Sequence, residues 1–175
     1  MSNLTSPPTH CVSPDLIFLF GLSGAGKSYC GKLFASRLGY EFYDLDTDMT
    51  PAMRQAISEG RPFTDEIRDE FFEVVCKRIG ELRREHRKIV FAQGAYKELH
   101  RGKVRFAHPS IEFIWIDAPD DIIVARIKAR GIGVSSAYAA SIRAHFEAPL
   151  GGRCIVNDGT PDDALWERFR ACVDS

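Results

Sequence analysis

Long hydrophobic runs are missing from this 175-residue sequence. No stretch approaches the ~20 apolar residues that a membrane span needs. The N-terminus has no charged segment leading into an apolar one, so neither a spanning helix nor a secretory signal is expected. Cysteine is sparse and odd in number, with five residues at positions 11, 30, 76, 154 and 172 and no Cys-x-x-Cys spacing. That argues against a disulfide framework and a zinc site, and fits free thiols in a reducing cytoplasm. A charge excess is absent too: 23 Lys and Arg against 24 Asp and Glu leave a net charge of -1. Nucleic acid and anionic membranes call for a concentrated positive field, so neither is an expected partner. No internal repeat and no second domain can be read.

What remains is the composition of a globular domain, 45% apolar and 27% charged. Residues 1–14 are polar and Pro-rich and read as a loose tail, leaving 15–175 as one domain. Short β-rich runs alternate with helix-length amphipathic segments. Strands are expected at 16–20, 40–43, 88–92, 111–116 and 154–156. Helices are expected at 27–38, 51–59, 64–85, 120–130 and 136–145, with a last helix capped by Thr160 and carrying Pro161 at its first position. Such alternation predicts a parallel sheet covered by helices on both faces.

One stretch carries most of the chemistry. Gly21-Leu22-Ser23-Gly24-Ala25-Gly26-Lys27-Ser28 fits the phosphate-loop pattern, between an apolar strand and a helix. Phosphate oxygens must come close to backbone N–H groups, and Cβ atoms would obstruct them. Gly21, Ser23, Gly24, Ala25 and Gly26 supply bare or small positions, and the helix beginning there adds free N–H groups and its dipole. Lys27 reaches the β- and γ-phosphates, and the Ser28 hydroxyl suits Mg²⁺. The expected cofactors are ATP and Mg²⁺.

Four further features belong near such a loop. Asp44 and Asp46 fall where the second strand ends, the place where open α/β sheets collect ligands; two acids there can hold Mg²⁺ through water and orient a hydroxyl. Arg68 opposes the dipole at the start of the long helix, or pairs with Glu66 or Asp69. Lys97 and Arg101, four apart, are expected to share a helix face and suit an acidic substrate, or form a solvated basic face. Arg126 and Arg130 precede Gly131 and Gly133, a pattern that fits a lid hinge around 131–137 carrying a cation, or compensation of a helix C-terminus. Asp117 reads as a strand-end residue and the basic run 83–88 as a solvated helix end.

Taken in order, GLSGAGKS, DLD, GRPFTDEIRDEFF, AYKELHRGKVR and RIKAR resemble the gluconate kinase family and, more distantly, shikimate kinases. The resemblance runs from about Leu16 to Pro149. It implies a five-stranded parallel sheet of order 2-3-1-4-5 in a P-loop kinase fold. It further implies that Asp44 assists Mg²⁺ while Asp46 meets the acceptor hydroxyl. Arg68, Lys97 and Arg101 would hold substrate, with Arg126 near adenine and Arg130 acting from the lid. The chain departs from the gluconate kinase pattern in Leu45, where that family resembles Asp-Gly-Asp, and in a lid without His-Phe or Lys. Where shikimate kinases carry a Gly triplet, it has Ala92-Gln93-Gly94. The expected activity is ATP-dependent phosphorylation of a hydroxyl on a small, carboxylated metabolite, gluconate-like or shikimate-like, by a monomer or homodimer. A nucleoside monophosphate kinase and a nucleotide-binding regulator with vestigial catalysis are the alternatives.

Overall fold

A computed structural model describes residues 13–130, 143–149 and 151–174. Five strands, β1 (Leu16–Phe20), β2 (Glu41–Asp44), β3 (Ile89–Gln93), β4 (Ile111–Asp117) and β5 (Arg153–Val156), form one sheet of order β2-β3-β1-β4-β5. Every pairing is parallel. The order and the covered architecture agree with the sequence reading.

β1 lies at the centre and is buried along its whole length. Alternation then divides its side chains between two cores. Ile17 and Leu19 face α1 (Lys27–Leu38), α5 (Asp120–Arg130) and α6 (Asp162–Val173), with Cys30, Phe34, Ile123, Ile127, Leu165 and Phe169 packed against them. Leu16, Phe18 and Phe20 face the other way, toward α3 (Asp65–Glu85) and α4 (Glu98–Ala107), where Phe71, Val75, Ile79 and Val104 meet them. Met53 of α2 (Pro51–Ser58) completes that second layer.

Most ends follow local chemistry. The Thr64 hydroxyl accepts from Ile67 N at 3.3 Å and starts α3, and Thr50 caps α2 in the same way at 3.2 Å. α6 departs from expectation. Thr160 donates its hydroxyl to Asp158 instead of capping, and Pro161 stands at the N-cap, so the helix starts at Asp162. A side chain that finds a carboxylate two residues away is lost to the helix terminus. Of the helix expected at 136–145, residues 136–142 lie outside the described part, and Arg143 and Ala144 are helical. The expected lid at 131–137 lies outside it as well.

Candidate active site

The carboxyl ends of the strands converge on one edge of the sheet. β1 runs into the glycine-rich loop, which has little room for side chains. A Cβ on Gly21 would lie 2.1 Å from Ile116 O, and one on Gly26 would lie 2.2 Å from Asn157 Nδ2. Gly24 and Gly26 adopt φ of 86° and 93°, the left-handed region where only glycine is unstrained. Gly26 is the N-cap of α1 and makes no side-chain cap bond, so the first N–H groups of the helix face outward from a bare backbone. That is the cradle a phosphate group needs.

Lys27 and Ser28 open α1. Lys27 Nζ donates to Leu22 O at 3.0 Å, folded back along its own loop, and Leu22 O also accepts from Ala25 N at 3.2 Å. Burial lowers the Lys27 pKa, while the Asp46 and Asp44 carboxylates act to raise it and the Arg130 charge lowers it further. Ser28 Oγ donates to Asp44 Oδ2 at 2.6 Å. Asp44 Oδ1 accepts from Asp46 N at 3.1 Å, which tightens the 3-10 turn Leu45–Asp48 and presents Asp46 at its start. A hydroxyl and a carboxylate side by side form the hard oxygen set suited to Mg²⁺, which takes one or two protein oxygens plus phosphate and water.

Asp46 stands just beyond the carboxyl end of β2, close to Lys27. Its Oδ1 accepts from Gln93 Nε2 at 3.1 Å. Desolvation raises its pKa, against Lys27, with Asp44 adding to the rise. Asp46 is exposed as a residue, so water offsets part of that desolvation. Arg130, at the last turn of α5, contributes positive charge at both Lys27 and Asp46.

Arg126 reaches across to the loop. Its Nη1 donates to Gly24 O and Ala25 O, both at 3.3 Å, and to Asn157 O at 3.2 Å. Asn157 follows β5, is 3% exposed, and donates from Nδ2 to Ala25 O at 3.0 Å. Both residues brace the back of the loop. Arg68 lies over the rings of Phe63 and Tyr96, at 5.4 and 5.6 Å. Lys97 Nζ pairs with Asp65 Oδ1 at 2.6 Å.

Lys97 and Arg101 do not share a helix face. Lys97 is the extended N-cap of α4, and Arg101 lies inside its first turn. Arg101 is 1% exposed. It donates to Glu98 Oε2 (2.8 Å), Ala95 O (2.7 Å), Tyr96 O (3.1 Å) and Glu147 O (2.6 Å), and its guanidinium stacks on Phe20. Its charge is held within the fold, where it ties the β3–α4 loop to residues 146–149.

Two residues of this edge were not singled out from the sequence as site residues, Gln93 and Asn157. Each is the polar residue at the carboxyl end of a strand, and that position was the available signal. A broad open trough along β5 and α6, lined by Arg153, Cys154, Val156, Arg168 and Cys172, carries none of these groups.

The comparisons agree with this geometry. A shikimate kinase of a Nostoc species is 30% identical over 118 residues, 65% of this chain and 60% of its own length. The chain thus spans about 60% of the first such relatives. The gluconokinase of Gluconobacter oxydans is 28% identical over 163 residues, 91% of this chain and 92% of its own length. The crystal structure of a gluconokinase from Sinorhizobium meliloti superposes with a TM-score of 0.77 at 26% identity, covering 91% of each chain. The sequence profile of the shikimate kinase family matches residues 23–137, from the phosphate loop to beyond α5, and the chain belongs to that family.

Proposed function

We propose that this protein is an ATP-dependent small-molecule kinase acting on a hydroxyl of a small, polyhydroxylated carboxylate. The observation that carries the reading is the opposition of Lys27 and Asp46. A half-buried cation at the base of a bare-backbone cradle lies close enough to the Asp46 carboxylate, at the carboxyl end of β2, to feel its charge. Bound ATP with Mg²⁺ supplies the γ-phosphoryl group and part of the charge neutralisation.

The chain's own residues supply position and charge. Gly21, Ser23, Gly24, Ala25 and Gly26 receive phosphate oxygens on backbone N–H groups. Lys27 leaves Leu22 O for the phosphates, and Ser28 with Asp44 offers oxygens to the metal. Asp46 takes a hydrogen bond from the acceptor hydroxyl, aims its oxygen at the γ-phosphorus and receives its proton as the new P–O bond forms and ADP departs. Arg130 adds positive charge beside the transferring group. Arg126 braces the loop from behind, near where the adenine would lie, and Arg68 and Lys97 suit an acceptor carboxylate. Arg101 supports that acceptor region from inside. The gluconokinases matched along most of this chain favour a sugar acid over a cyclic acid such as shikimate.

ADP release measured across sugar acids, polyols, shikimate and nucleoside monophosphates tests the proposal. Turnover with a sugar acid or shikimate is expected, abolished in Lys27→Ala and lowered about 10²–10⁴-fold in Asp46→Ala. Turnover confined to nucleoside monophosphates, or ATP binding without transfer to any acceptor, overturns it.

A further inference from the structure

Gln93 ends β3 in register with Phe20 of β1, which in turn pairs with Trp115 of β4. Parallel register places the three on one face of the sheet. Phe20 and Trp115 are covered by the Phe146 ring, with centroids 6.3 and 5.3 Å away. Gln93 thus projects from a largely aromatic row and is 6% exposed. Its carboxamide orientation follows from its neighbour, since a carboxylate accepts and only the NH₂ end can donate to it. Nε2 therefore faces Asp46 Oδ1.

The other end of that amide is unmatched. Gln93 Oε1 is buried and has no hydrogen-bond partner among the described residues. An unpaired buried carbonyl carries the full desolvation penalty of that group. Retained polar atoms of this kind call for a specific explanation. Asp46 Oδ2, moreover, accepts no hydrogen bond among the described residues. One hydrogen-bonded pair of side chains thus leaves two acceptor oxygens without a donor, Oδ2 on the exposed Asp46 and the buried Oε1 of Gln93.

We propose that Gln93 is a specificity and positioning residue: Nε2 holds Asp46 in line, and Oε1 accepts a second acceptor hydroxyl beside the one phosphorylated. The inference rests on the kinase reading and deepens it, because it requires a substrate with hydroxyls on adjacent carbons. A mono-alcohol fills one acceptor and leaves the other buried without a donor. A site built to pair a hydroxyl discriminates strongly against the analogue lacking it.

The test compares D-gluconate and shikimate with their monodeoxy analogues, using wild type, Gln93→Met and Gln93→Glu. For the wild type, removing the neighbouring hydroxyl is expected to lower kcat/KM about 10–100-fold. Gln93→Met, similar in volume and lacking both amide groups, should bring that ratio within about threefold of unity, with KM for ATP unchanged. Gln93→Glu keeps an outer oxygen but sets a carboxylate against Asp46, so kcat falls while the hydroxyl preference survives. ATP–Mg binding and a thermal melt confirm that each variant is folded, and the analogue series on the wild type stands without any variant. Equal use of every deoxy analogue by the wild type, or an unchanged ratio in Gln93→Met, overturns the inference alone. ATP binding with transfer to neither acceptor overturns the kinase reading for these acceptors and this inference with it.

Discussion

Asp46 is one carboxylate among three in five residues, and its neighbours give each a different task. Asp48 is tied to Arg78 and Tyr43, Asp44 to Ser28 and its own turn, and only Asp46 turns toward Gln93 and the cleft. Asp46→Ala is expected to lower kcat by about 10²–10⁴-fold while ATP binding persists, read by ADP release and calorimetry. Because desolvation raises the Asp46 pKa above the ordinary 3.8, protonation begins at a higher pH than usual. The acid limb of kcat/KM should therefore lie above the ordinary carboxylate range, with rate lost as pH falls, and should vanish in Asp46→Ala. At the loop, Gly26→Ala meets Asn157 Nδ2 and a φ of 93° together. Its nucleotide affinity should drop at least tenfold in a titration with ATP–Mg, about 1.4 kcal/mol of binding free energy.

The α3–α4 joint is where an element does the work of a site without touching substrate. Arg101 fastens the loop from Ala95 to Tyr96 onto Glu147, so the segment carrying Lys97 is held from within. Arg101→Leu leaves Ala95 O and Glu147 O without the donor they now have, while Tyr96 O keeps Glu147 N. It should destabilise the protein by about 3 kcal/mol in urea unfolding, with KM affected mainly through stability, whereas Lys97→Ala should change acceptor KM at near-normal stability. His100 lies deeper in the same joint. It stacks on Phe72 with centroids 4.4 Å apart, and its Nε2 lies 3.3 Å from Asp69 Oδ1. Burial lowers its pKa below 6.5, Asp69 opposes that, and Arg68 and Lys97 reinforce it. The unfolded chain then binds a proton that the folded protein resists, so stability is lost as pH falls through about 6.5. Melting temperature should decline from pH 7.5 to 5.5, and the slope should flatten in His100→Gln.

At the scale of the whole molecule, the carboxyl ends of five parallel strands lie along one edge, and nucleotide bound there should couple to the whole sheet. A ligand held at 100 times its Kd stabilises the fold by about 2.7 kcal/mol. For a chain of this length that corresponds to a melting temperature higher by roughly 5–10 °C with ATP–Mg, and Lys27→Ala should abolish the rise. Among the described residues no helix is long and apolar enough to cross a membrane.

Glycine spacing, a preceding apolar run and a following amphipathic helix were enough to locate the phosphate loop and the parallel sheet. Those features act over a few residues, where steric freedom and periodicity are written directly in the chain. Asp44 and Asp46 were legible for the same reason, as acids at a strand end. The sharing of work between them was not, because it depends on Ser28 and Gln93, which are 16 and 47 residues away in sequence. Likewise, the four-residue spacing of Lys97 and Arg101 indicated a common face, but the helix begins between them and Arg101 turns inward. The sequence by itself determined the fold and the phosphate cradle. Only the tertiary structure decided which polar side chains point into the cleft and which are consumed in holding it, since that choice is made by hydrogen bonds between residues distant in the chain.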